Sequence, residues 1–164
     1  MTSSKEEREC WILGEFCKAL SGKNSHEITI ECGEDGYSDG GLIIDSKKIP
    51  VEIVTAERIL YERAALARRT GKPVVYEIRP IEWIKGALKL KVAKNYAHEK
   101  ELLILIEYGG LESINEEYLL LELKTDEEII SFAKRFKDVY ILNPSSSEYV
   151  DKDQKEPFLV KIEF

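Results

Sequence analysis

The chain has 164 residues, of which 43% are hydrophobic and 34% charged. This suits a single globular domain with one core and excludes an intrinsically disordered chain. The net charge of −7 excludes indiscriminate coating of nucleic acid, though not a local basic groove.

The first ten residues, MTSSKEEREC, lack an apolar leader segment, and the longest apolar runs, such as Leu102–Ile106, are too short to span a bilayer. A cytoplasmic protein with no membrane association is expected. Residues 5–20 read as a helix, because Cys10, Leu13, Cys17 and Leu20 recur at helical spacing with Trp11 and Phe16 beside them. SGKNS breaks it, HEITIEC alternates as a short strand, and GEDGYSDGG is a turn-rich loop. LIID and IPVEIVT are strands joined tightly through DSKK.

A helix follows over 57–70, with Thr55 able to cap its start, Gly71 just past its end, and Leu60, Ala64 and Ala67 on its buried face. PVVYEI reads as a strand. Pro80 suits the first turn of the next helix, whose stripe is Ile81, Ile84, Leu88, Val92 and Tyr96. ELLILIEY is a core strand, and EYLLLEL is read as a further one, open to pairing with a second copy. TDEEIISFAKRF is an amphipathic helix with Thr125 and Glu128 as its capping box. DVYILN is a strand, 144–156 a polar loop, and FLVKIEF a terminal edge strand. Neither a repeat nor a linker interrupts the chain before residue 143, so residues 1–164 form one domain. The fold class is α/β, with a mixed central β-sheet flanked by helices on both faces.

The three cysteines, Cys10, Cys17 and Cys32, are odd in number and contain no CxxC pair. They are expected as small buried thiols of a reducing cytosol. The single glutamine among many Lys and Glu hints at a thermophilic source.

The chemistry centres on SDGGLIIDSKKIPVEIVTA. Asp39 precedes one hairpin strand and Glu52 lies within its partner, so the turn brings two carboxylates side by side. Rigid strands can hold two such groups within reach of a hard cation. Side chains alternate, so Glu52 shares a face with Val54 while Val51 and Ile53 share the other. A glutamate on the face of Val54 has a buried or functional role. The bland alternative has Asp39 making an Asx-turn and Glu52 pairing with Lys47 or Lys48. The residues alone leave both open.

This stretch, with the helix and strand before it and the helix and GKPVVYEI after it, resembles the PD-(D/E)XK nuclease superfamily. The likeness covers residues 5–108 by element order, but only Asp39 and Glu52 match by residue type. Ser38 stands where the pattern has Pro, and Val54 stands where it has the lysine that orients or activates the attacking water. The resemblance implies a restriction-endonuclease-like fold and Mg²⁺- or Mn²⁺-dependent hydrolysis of DNA, with Asp39 and Glu52 as metal ligands. Glu7, Glu15 or Glu31 would complete the metal site. The missing lysine would be replaced from a helix, by Arg58, Tyr61, Lys94 or, as the catalytic choice, Lys91. It also implies the alternative of a catalytically inactive domain of the same fold that binds nucleic acid or assembles with proteins, and a possible homodimer.

Lys85, Lys89, Lys91 and Lys94 make the most basic stretch of the chain. With Arg68, the residues Lys85, Lys89 and Lys94 are candidate phosphate contacts, or else part of a solvated outer face. His26 and His98 lack metal-ligand spacing, Ser145–Ser147 lack the context of a nucleophile elbow, and GEDGYSDGG has no P-loop lysine.

Overall fold

The computed structural model describes residues 4–22, 27–33, 38–56, 65–72, 80–108, 116–144 and 158–164. Helix α1 (Ser4–Ser21) has Glu6 and Glu7 in its first turn and Lys18 in its last, which complements the helix dipole. Strands β1 (Ile28–Cys32), β2 (Gly40–Ile44) and β3 (Lys47–Thr55) form an antiparallel meander. The β2–β3 turn has Asp45 at φ 50° and Ser46 at φ 65°. Positive φ at both central residues is the type I′ signature, whose twist matches that of the flanking strands.

Beyond the part paired with β2, β3 runs on and pairs in parallel with β4 (Leu103–Glu107), from Val51 opposite Leu103 to Thr55 opposite Glu107. Strand β5 (Asp138–Asn143) continues in parallel, and β6 (Phe158–Lys161) closes the far edge antiparallel. Among the described residues these strands form one mixed sheet in the order β1-β2-β3-β4-β5-β6.

One face of the sheet is covered by α1. Its Ile12, Leu13, Phe16 and Leu20 pack on Leu42, Val51, Leu103 and Leu105. The other face lies under α2 (Pro80–Val92), α3 (Glu116–Thr125) and α4 (Glu127–Ala133). There Ile84, Leu88, Leu119 and Ile129 pack on Ile104, Ile106, Val139 and Ile141. Burying each such side chain is worth roughly 1.5–3 kcal/mol. The α/β class with a mixed sheet and helices on both faces is therefore observed.

Residues 65–70 are helical, and Gly71 ends them at φ 68° with its N–H on the Ala67 carbonyl at 2.8 Å. Positions 57–64 and the expected strand PVVYEI lie outside the described residues, as do His26 and 145–157. Among the described residues, no helix is long and apolar enough to cross a membrane.

Three expectations are corrected. EYLLLEL is not a strand but the body of α3, because Leu119 and Leu123, one turn apart, are its buried residues while Tyr118 and Leu121 face out. Thr125 does not cap α4. It ends α3, with its hydroxyl donating to the Leu121 carbonyl at 2.9 Å, and the N-cap is Asp126, which accepts from the Ile129 N–H at 3.0 Å. The cysteines are not all free: Cys10 and Cys32 form a disulfide, and Cys17 alone of the three is a thiol.

Candidate functional site

Glycine and a buried serine present Asp39. Gly40 fits where a β-carbon would press on the Leu13 side chain and stand 2.9 Å from the Glu31 carbonyl oxygen. The Ser38 hydroxyl donates to the Gly40 carbonyl at 3.1 Å and braces the bend. The Asp39 N–H donates to the Val51 carbonyl at 3.0 Å, and its Oδ2 accepts from the Ile53 N–H at 2.8 Å. The carboxylate thus satisfies a β3 backbone donor just beyond the part of β3 that pairs with β2. The two carboxylates are close enough for the charge of Asp39 to act on Glu52.

Glu52 is buried and does not pair with Lys47 or Lys48. Its Oε2 meets the Nζ of Lys91 at 2.9 Å, and that lysine is in the last turn of α2. Lys48 pairs instead with Glu31, at 2.9 Å. Burial pushes the Glu52 carboxyl above the usual carboxylate range, and the Asp39 charge adds to this against the pull of Lys91. The Tyr96 ring packs edge-on against Phe136. Its buried hydroxyl is close enough to Glu52 to be held protonated, first by burial and then by that carboxylate, although no well-formed hydrogen bond joins them.

A cavity of about 750 Å³ opens over the ends of β3 and β4. Asp39, Val54 and Lys91 line one side of it, and Lys91 carries the ion pair to buried Glu52. Helix α1 supplies the opposite wall through Lys5, Arg8 and Glu9. Buried Glu107, at the end of β4, is ion-paired to Arg8 and accepts from the Thr55 hydroxyl at 3.4 Å.

Of the residues singled out in the sequence, Asp39, Glu52 and Lys91 come together, and Lys94 lines the same cavity. Lys85 and Lys89 are drawn away to α4 and its cap. Lys85 lies 3.0 Å from Asp126, and Lys89 lies 3.1 Å from Glu128. Arg68 is exposed and is not among the cavity residues. Glu7 is exposed, Glu15 pairs with Lys18 at 3.2 Å, and Glu31 is committed to Lys48, so none of these three lines the cavity. Arg58 and Tyr61 lie outside the described residues.

Glu9, Arg8 and Glu107 were not anticipated. Glu9 had a legible signal, since it precedes Ile12, Leu13 and Phe16 at spacings of three, four and seven, on the stripe that faces the sheet. Among the described residues no group of three or more His, Cys, Asp and Glu converges as a metal site. Comparison of the chain with protein-family models, with curated proteins and with solved structures found no match.

Proposed function

We propose that this chain is a divalent-metal-dependent nuclease that hydrolyses DNA phosphodiester bonds, with Lys91 in the role of the lysine that Val54 displaces. One observation carries the reading. A buried ammonium reaches Glu52 at 2.9 Å from a helix, beside the cavity lined by Asp39 and Val54. The resemblance to PD-(D/E)XK nucleases calls for an amine near this position, and Lys91 supplies one.

The donor set fits Mg²⁺ or Mn²⁺. Such ions are commonly held by one or two carboxylates, the remaining positions going to water and substrate phosphate. Asp39 and Glu52 bring two carboxylates together beside Lys91, and a cation held between them would complement both when ionised. Bound there, the metal would acidify a water molecule and offset charge on the scissile phosphate. Lys91 would orient that water and steady the developing charge. The Ile53 N–H would fix Asp39 in place.

A second reading is an inactive domain of the same fold that binds nucleic acid or assembles with proteins. It is favoured by the same ion pair, because Lys91 already neutralises Glu52 without a metal.

Calorimetric titration of Mn²⁺ separates the two. Wild type should bind and Asp39→Asn should bind far more weakly; equal binding, or none in either, sinks the metal site. Cleavage of single-stranded, duplex and branched DNA should fall about a hundred-fold or more in Lys91→Met. Cleavage that survives Glu52→Gln rejects the mechanism.

A further inference from the structure

We propose that the Cys10–Cys32 disulfide is a redox-sensitive clamp that sets the α1 wall of the cavity, so that reduction loosens this wall and lowers activity at the site. The effect on activity rests on the nuclease reading; the clamp itself does not.

The bond ties the middle of α1 to the last residue of β1, over a Cα–Cα distance of 5.2 Å and a sequence separation of 22. Its position along α1 matters. The apolar residues that seat the helix, Ile12, Leu13, Phe16, Ala19 and Leu20, all follow Cys10. Three of the cavity residues that α1 supplies, Lys5, Arg8 and Glu9, all precede it. Ahead of Cys10 no apolar side chain of α1 belongs to the core it seats. Lys5 and Glu9 pair along the helix at 3.5 Å. Arg8 reaches Glu107, but half of the Arg8 side chain is exposed, and solvent weakens such a pair. The disulfide is thus the covalent hold on the first part of α1, which supplies three residues of the cavity wall and has little apolar seating of its own.

The bond is also open to exchange, because Cys32 is exposed while Cys10 is half-buried. A thiolate of a dithiol reductant attacks the Cys32 Sγ, the S–S bond breaks, and Cys10 leaves as a thiolate that takes up a proton. The second thiol of the reductant then displaces Cys32, which is protonated in turn. Two electrons pass to the protein, and the dithiol becomes a disulfide. Cys17, with its Sγ 3.2 Å from the Ile28 carbonyl oxygen, is occupied elsewhere.

Hydrogen exchange on the full chain, oxidised and then reduced with excess dithiothreitol, tests the clamp. Amides of residues 8–10 should exchange about ten-fold faster after reduction, while those of residues 12–21 hold their protection. Re-oxidation should reverse the change, and Cys32→Ser should behave as the reduced protein with or without dithiothreitol. Unchanged exchange at residues 8–10, or an equal rise along the whole helix, overturns the clamp. DNA cleavage with Mn²⁺, measured in the same two states, should be several-fold slower when reduced, and equal rates overturn the regulatory role. Should neither state cleave DNA, the nuclease reading and the regulatory role fall together, while the exchange result still decides the clamp.

Discussion

The Lys91 ammonium and the Glu52 carboxylate meet at 2.9 Å with only 7% and 8% of their side chains exposed. One sits on a helix and the other on the sheet beneath it, so the pair fastens two layers of the molecule. Removing one partner of a buried pair strands the other charge and costs about 3–5 kcal/mol. Lys91→Met should lower stability by about that amount in urea denaturation at neutral pH, and Lys91→Met combined with Glu52→Gln should recover much of the loss. A loss under about 1 kcal/mol in the single variant would mark the pair as effectively solvated.

Asp126 gives a pH dependence of definite sign. Burial works against its ionisation, but the Ile129 N–H and the Lys85 ammonium outweigh this and hold its carboxyl below the usual range. A carboxylate depressed on folding stabilises the native state above its unfolded pKa, and the contribution is lost as the pH falls through the folded value. Asp126→Ala should therefore cost about 1 kcal/mol at neutral pH through the lost helix cap. The gap from wild type should close progressively in acid. A gap independent of pH would mean that the charge contributes nothing.

Closing a loop across a separation of 22 residues restricts the unfolded chain by about 3 kcal/mol in the chain-entropy account. The double variant Cys10→Ala, Cys32→Ala should be less stable than the oxidised wild type by that order. It should match the reduced wild type closely. Comparison of denaturation midpoints with and without reductant checks this, and coincident midpoints for oxidised and reduced wild type would refute it.

Gly40 has no room for a side chain. A β-carbon there would meet Leu13 of α1 and the Glu31 backbone. The second contact cannot be relieved by a rotamer change, so Gly40→Ala should cost about 1–3 kcal/mol. Because Asp39 is the preceding residue, the proposed metal site should bind Mn²⁺ more weakly as well. Wild-type stability in this variant would show that the helix and strands yield easily.

The hairpin, both carboxylates and helices α1 and α2 are legible because hydrophobic period and turn chemistry act locally. EYLLLEL is ambiguous in the sequence because a run of leucines satisfies strand and helix alike; the buried spacing of Leu119 and Leu123 separates the two only once a partner face is known. The cap of α4 falls one residue beyond Thr125, and the sequence alone does not separate the two because Thr125 and Asp126 are both good capping types. The Cys10–Cys32 bond could not be read, since it depends on how α1 lies across β1. The same holds for Lys85 and Lys89. Their positive charge was plain, but not the acidic residues of a distant helix that meet them. Lys91 sits in the same run and differs only in facing the sheet, which places it against Glu52.

The left-handed turn at Asp45 and Ser46 has a consequence at the opposite end of the hairpin. It fixes how β2 and β3 are offset, and strand side chains alternate with strict parity. One residue inserted there would transpose Glu52 and Ile53. The carboxylate would trade its berth under α2 for the greasy underside of α1, and Lys91 would confront a hydrocarbon. A two-residue turn therefore acts as an index mark for the meeting of Glu52 with Lys91, from the far end of the hairpin.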